Sequence, residues 1–341
     1  MKQSRLIHFD LIKVFAIYLV IWGHCIQYFL SSYECNDFIY LIIYSFHMPL
    51  FMMVSGFFSW NSYNLLSHQF ILKKFRELIL PVLSWGIIFE IIQIVINLVK
   101  GETTYLFFDF KAIYIQNLWF LKCLFLCYVL AYCCFKQGRT NYIILLSTIF
   151  LSQFVTSHNI CTMYPAFLCG LYLRKHYSSI NNYYVLGGSF ILFILLLHFW
   201  DASFWPIPDM LYGICHNDFT TIQDYIYKGG GRIIIGIIGS LFFISFFTLV
   251  FSNSKNRYIC FLSNFGKYTL GIYILQSFII EYTLSKYINF DNSNYWLFQF
   301  LYVPVFSLAF ILLITYIVKQ SYKHNTISFF IWGRKYCINN T

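Results

Sequence analysis

Charge is what this sequence has least of. Only 11% of its 341 residues are Asp, Glu, Lys or Arg, where a soluble domain carries about 25%. So few charged groups leave too little polar surface to cover a water-facing globule, which excludes an ordinary soluble enzyme. Acids are the scarcer sign, 13 against 23 basic residues, for a formal charge of +10. A nucleic-acid partner would need those cations gathered on one exposed face, and they are instead scattered between apolar runs. No low-complexity tract, no internal repeat of roughly 20–50 residues and no inverted pair of broken helices is visible, which weakens a secondary-transporter reading. Metal-ligand spacings are missing too.

What is present is apolar. Hydrophobic residues make up 59% and aromatic residues 23% of the chain, with a mean hydropathy of +0.65. Most of the 11 cysteines lie inside apolar runs, where Cys behaves as a small hydrophobe. Cys123 and Cys127 sit one helical turn apart and read as core packing. Cys35, Cys161 and Cys215 are placed where a disulfide in an oxidising compartment is one option. The first apolar run follows Lys2 and Arg5 as in a signal peptide, but no small-residue cleavage site follows it, so it reads as a retained span.

A bilayer core takes roughly 20 apolar residues as helix, and ten runs of about that kind occur: Phe9–Leu30, Phe38–Trp60, Leu78–Val99, Leu118–Phe135, Tyr142–Val155, Cys161–Leu173, Tyr184–Trp200, Ile233–Phe251, Tyr268–Lys286 and Trp296–Val318. The fifth and sixth are short, either a tilted pair or a re-entrant hairpin. Basic residues such as Arg5, Lys73, Lys74, Arg76, Arg174, Lys175, Lys319 and Lys323 then fall on one side of the membrane, and acids such as Glu34, Asp37, Asp201, Asp209 and Asp218 on the other. By the positive-inside rule both termini are cytoplasmic. The expectation is an all-α, polytopic helix bundle forming one integral membrane domain over 1–341, without a soluble domain. The longest break, Asp201 to Gly231 with its Gly229-Gly230-Gly231 run, reads as a cap over the bundle.

An ionisable side chain in hydrocarbon is costly and is a functional candidate by default. Asp10, Lys13 and His24 share a face of the first span, since eleven steps of 100° bring Lys13 and His24 within about 20° of each other, roughly 16 Å apart. Asp10 and Lys13 are either an interfacial pair or part of that stripe; His24 is either a satisfied interior histidine or a proton shuttle. His47 sits in Phe46-His47-Met48-Pro49-Leu50-Phe51, where Pro49 kinks the second span, either making room for a polar cavity or serving packing alone. Lys73, Lys74 and Arg76 suit a phosphate-bearing ligand, although topology alone also predicts such a cluster. Glu90 and Glu281 lie inside spans, Lys122 near the end of one, Arg232 at the entry of another, and Trp119 at an interface where Trp is a common anchor.

Together these residues resemble the acyltransferase-3 family of integral membrane acyltransferases, in particular its branch resembling fucose 4-O-acetyltransferases and other sugar O-acetyltransferases. The likeness covers nearly the whole chain. It rests on Arg5, Asp10, Lys13 and Ala16 with His24 following, on Phe46 to Phe51 with Ser55-Gly56-Phe57, on Lys73-x2-Arg76 before Leu80-Pro81, on Trp119-Phe120-Leu121, and on Phe265 to Tyr273. Lys13 and Lys73 stand where the family has Arg, which keeps charge but loses a bidentate fork, and Gln276 stands where His is common.

The resemblance implies acetyl-CoA, or another short acyl-CoA, as cytoplasmic donor and co-substrate, no metal, and a cell-surface carbohydrate hydroxyl or its lipid-linked precursor as acceptor. The place would be a bacterial cytoplasmic membrane. His24 would be the general base, with His47 orienting it, replacing it or stabilising the oxyanion. Asp10 and Lys13 would complete the catalytic stripe, Lys13, Lys73, Lys74 and Arg76 would hold the donor, and Glu90, Trp119, Arg232 and Glu281 the acceptor. The competing class is a transporter or flippase of a glycan intermediate, which would have no need of acyl-CoA; succinyl transfer is a variant of the first. Oligomeric state leaves no mark in the sequence.

Overall fold

The computed structural model describes residues 5–30, 37–100, 118–136, 140–291 and 294–333. Among these residues there is no strand, only an isolated parallel bridge between Leu30 and Phe290. The main helices are α1 (Ile7–Phe29), α2 (Phe38–Ser59), α3 (Ser67–Lys74), α4 (Leu80–Lys100), α5 (Trp119–Phe135), α6 (Tyr142–Ser152) and α7 (Ile160–Lys175). They are followed by α8 (Tyr183–His198), α9 (Phe219–Phe251), α10 (Arg257–Ser263), α11 (Thr269–Gln276), α12 (Val303–Ser321) and α13 (Asn325–Trp332).

Among the described residues five continuous helical stretches are long and apolar enough to cross a membrane: Ile7–Phe29, Phe38–Asn64, Ser67–Val99, Phe219–Phe251 and Tyr295–Ser321. Trp119–Phe135, Tyr142–Ser152 and Tyr183–His198 are shorter apolar helices. Large apolar side chains stay exposed on the outer faces of α4, α6 and α8, such as Ile91, Val95, Ile143, Phe150, Ile191 and Leu195. A water-facing protein would not present rows of them on several helices; lipid accepts them without penalty. The protein is an integral membrane helix bundle.

Its centre is α1, α2, α7 and α9, and small residues let these helices approach. A Cβ on Gly56 of α2 would overlap the carbonyl oxygen of Phe167 on α7, and one on Gly170 of α7 would overlap that of Met53 on α2. Backbone-to-backbone contact of this kind replaces the hydrophobic drive that lipid removes. On α9, Gly236 lies against Pro49, and Gly239 against Phe46 and Phe193.

Two polar ties fix α1. At its start Asp10 pairs with Arg5 at 2.7 Å and Lys13 at 3.1 Å, and Arg5 donates onward to Asn264 Oδ1 and the Ser263 carbonyl. Toward its other end Trp22 Nε1 donates to Gln299 Oε1 at 3.0 Å. Gln299 in turn donates to Asp37, which also accepts from Tyr295 at 2.7 Å and caps α2 through the Tyr40 N–H.

The structure departs from the sequence reading at the glycine run and sharpens it at two other places. The Gly229-Gly230-Gly231 run is not a break: α9 begins at Phe219, with Asp218 accepting from the Thr220 and Thr221 N–H groups, so only residues 199–218 connect α8 and α9. Gly231 is needed for packing, since a Cβ there would come within 2.5 Å of the Phe204 ring. The short fifth and sixth runs are separate helices, α6 and α7, joined through a turn in which His158 and Asn159 are both left-handed. All cysteines of the described residues are free thiols, Cys161 and Cys215 included; Cys35 lies outside the described residues.

Candidate functional site

Two cavities adjoin inside the bundle. The larger in polar character, about 320 Å³, is lined by His24, His47, Trp119, Arg232, Gln276 and Glu281 together with Gln27, Tyr28, Tyr44 and Trp205. A second, about 260 Å³, is lined by Lys13, Lys74, Glu77, Tyr128 and a set of apolar side chains. Met48 and Tyr273 line both, so these two side chains stand at the junction between a histidine cavity and a lysine cavity.

His47 lines the histidine cavity from within α2, which continues through Pro49, itself a lining residue. Its Nδ1 lies 2.7 Å from the carbonyl oxygen of Ile43. A carbonyl only accepts, so the proton sits on Nδ1 and Nε2 keeps its lone pair. His24, on the opposing face of α1, stacks on Tyr28 with ring centroids 5.7 Å apart. Its Nδ1 is 3.3 Å from Glu281 Oε1, ion-pair distance, but the alignment falls short of a hydrogen bond. Tyr28 donates to the other oxygen of Glu281 at 3.5 Å. A π-helical segment, Ser277–Thr283, supplies Glu281; such a wide turn shifts the side-chain phase of a helix and is frequent at functional sites. Gln276 precedes it, buried in the same cavity with its Oε1 unpartnered.

One wall of the histidine cavity is aromatic. Tyr40 and Tyr44 stack at 3.8 Å, and Trp205 lies 6.3 Å from Tyr44 and 5.1 Å from Trp200. Tyr44 donates to Gln27. Flat aromatic faces with a few fixed polar groups among them form an amphipathic surface.

In the lysine cavity Lys74 is 7% exposed. Its Nζ pairs with Glu77 at 3.0 Å and sits 3.9 Å above the Tyr128 ring, both of which offset the cost of burying a cation. Lys13 pairs with Asp10 and lies 5.0 Å from the Phe58 ring centroid.

The sequence candidates therefore divide. His24, His47, Glu281, Arg232 and Trp119 share one cavity, and Lys13 and Lys74 the other. Asp10, Lys73, Arg76 and Glu90 line neither. Lys73 and Arg76 are exposed and Glu90 is half-buried on α4; Arg76 rests 5.4 Å from the Phe329 ring. Helical phase explains the separation of Lys73 from Lys74, since neighbours on a helix point about 100° apart. Tyr28, Gln27, Tyr44, Trp205, Glu77 and Tyr128 were not singled out from sequence. Tyr28 and Gln27 carried a usable signal, four and three positions beyond His24 on one helix face; Trp205 and Tyr128 carried none, because only tertiary packing brings them in.

Among the described residues no group of His, Cys, Asp and Glu is arranged to hold a metal ion.

The family model described as an acyltransferase domain, acyltransferase 3, matches residues 6–318. The nodulation protein NolL of Mesorhizobium japonicum is 34% identical over 135 residues, which is 38% of this chain and 35% of that protein. NolL of Sinorhizobium fredii is 32% identical over 127 residues, 35% of this chain and 34% of that protein. The matched stretch thus spans about a third of the length of these curated relatives. No solved structure matches.

Proposed function

The chain belongs to the acyltransferase-3 family, and from that premise we propose that it is a membrane O-acyltransferase that moves an acetyl or other short acyl group from acyl-CoA to a carbohydrate hydroxyl. We place it as a ten-span protein of a bacterial cytoplasmic membrane with both termini in the cytoplasm, the lysine cavity opening toward that side and the histidine cavity toward the other. The observation that carries the proposal is the junction: a cationic cavity suited to a phosphate-bearing donor meets a histidine-lined cavity suited to an alcohol acceptor, across Met48 and Tyr273.

Acetyl-CoA would supply the thioester, with Lys13 and Lys74 meeting its anionic end. His24 acts as the general base, accepting the hydroxyl proton on Nε2 as the oxygen attacks the acyl carbon, and returning that proton to the departing thiolate sulfur. Glu281 beside Nδ1 favours the imidazolium that forms between those events, the role of the carboxylate in a serine-hydrolase triad. His47, with its proton committed to Ile43, presents Nε2 as an acceptor that orients the same or a neighbouring hydroxyl. The aromatic wall of Tyr44 and Trp205 gives a sugar ring an apolar face to lie on.

The test replaces His24 with Ala in the full-length protein in membranes and follows acetyl transfer to surface glycan at matched expression. We expect a loss of about 10²–10⁴-fold, the range of general base catalysis. Undiminished transfer removes His24 as the base. Thermal stabilisation of the purified protein by acetyl-CoA is the companion measurement, and its absence would favour a transporter of a glycan intermediate.

A further inference from the structure

The histidine cavity contains a cation, Arg232, that no carboxylate among the described residues answers. Arg232 lines it and lies in α9, one turn before Gly236, which abuts Pro49, and two turns before Ser240, whose hydroxyl reaches the Phe46 carbonyl. Residues four apart share a helix face, so Arg232 is directed at α2 and the cavity between them, not at lipid. Among the described residues no carboxylate comes within ion-pair distance of it. The one acid among the described lining residues, Glu281, is occupied by His24 and Tyr28.

What Arg232 does contact is Trp205. Its guanidinium carbon lies 5.0 Å from the ring centroid. A contact with an aromatic ring uses none of the guanidinium N–H donors, and their planar edge is the fork that recognises a carboxylate or phosphate with two parallel hydrogen bonds. Arg232 stands at the entry of its span and lines the cavity, and the cost of holding a permanent charge against a protein cavity is offset where a ligand of opposite charge meets it. Helix ends add to the same field. Leu118 and Asn159, the residues that open α5 and α7, both line this cavity, both adopt left-handed backbone, and neither helix carries a side-chain cap. The partial positive ends of two helix dipoles therefore border the space that Arg232 enters.

We propose that the acceptor is anionic: it carries, next to the hydroxyl that is acylated, a sugar carboxylate or the phosphate that joins a glycan to its lipid carrier, and Arg232 receives that group. The inference rests on the acyl transfer proposed above and adds the charge class of the acceptor to it. Arg232 then fixes how far the hydroxyl sits from His24, because a bidentate pair sets orientation as well as affinity.

Paired probes test this on the purified full-length protein in nanodiscs. Methyl glucuronide is compared with methyl glucoside, and geranyl phosphoryl-glucose with geranyl glucoside, so each pair differs in the anionic group. We expect at least one charged member to bind about tenfold or more tightly than its neutral partner, the span of a hydrogen bond to a charged group; which pair shows it tells carboxylate from phosphate. The preference should fall to about twofold or less in Arg232→Gln and survive in part in Arg232→Lys. Equal or undetectable binding within both pairs overturns the proposal on the native protein alone. A preference that persists in Arg232→Gln overturns it as well. Acetyl-CoA stabilisation, followed on the same native sample, separates the two readings. If it is present without an anion preference, only the acceptor charge class fails. If an anion preference appears without it, the Arg232 site stands and acyl transfer fails.

Discussion

The lysine and histidine cavities are neighbours with opposite ways of handling charge. In the lysine cavity each cation has a carboxylate three residues away in its own chain segment: Asp10 for Lys13 and Glu77 for Lys74. Such pairs form as soon as their helices do. In the histidine cavity the charged groups either meet across helices that are distant in sequence, as His24 and Glu281 do, or, among the described residues, meet an aromatic ring and no carboxylate, as Arg232 does. The first arrangement holds cations in place at low cost; the second leaves groups whose charge state and partners are free to respond to a ligand. On the acyl transfer proposed above, the difference suits the lysine cavity to donor binding and the histidine cavity to chemistry.

That division can be broken by substitutions that separate kcat from KM for acetyl-CoA. Beyond the His24 replacement, the largest effect is expected for Glu281→Gln, which keeps shape and removes the carboxylate beside His24. Transfer should fall about 10- to 100-fold, the value of a hydrogen bond to a charged group, with KM for acetyl-CoA little changed. A rise in KM alone would place Glu281 in donor binding. Lys74→Met should do the reverse: KM for acetyl-CoA rises about tenfold while kcat is retained. Retained KM would show that the buried Lys74–Glu77 pair serves packing only. The smallest effect belongs to Lys73→Ala. Its side chain is exposed and lines neither cavity, so KM should shift by less than about threefold and the shift should vanish with added salt. A loss as large as that of Lys74→Met would bring Lys73 into the donor site.

Part of this site was legible in the residue order. Helical phase alone puts His24 on the face of Lys13, and the structure carries that face from one cavity into the next. Pro49 beside His47 made a cavity one of two readings, and the cavity is there. Lys73, Lys74 and Arg76 looked equivalent as a cationic cluster, yet only Lys74 is buried and lines a cavity. Composition treats the three alike; the direction of each side chain depends on which side of α3 and the following turn meets α5. Glu90 and Glu281 looked equivalent too, as acids within apolar runs. The π-helical segment turns Glu281 toward His24, while Glu90 stays on α4 away from both cavities. The glycine run before Arg232 resembled a loop because three successive glycines usually break a helix; here Phe204 against Gly231 uses the missing side chain for contact.

By itself, then, the sequence determined a helical bundle in lipid, since hydropathy is a sum over local residues, and it determined which groups share a face of one helix, since that follows from a fixed 100° step. It also carried the family motifs. Only the tertiary structure decided that Glu281 stands beside His24, that Lys74 and not Lys73 lines a cavity, and that Arg232 lies against Trp205. Each of those depends on how two helices far apart in the chain are packed, which small residues such as Gly56, Gly170 and Gly236 permit at van der Waals distance and which no single-helix periodicity encodes.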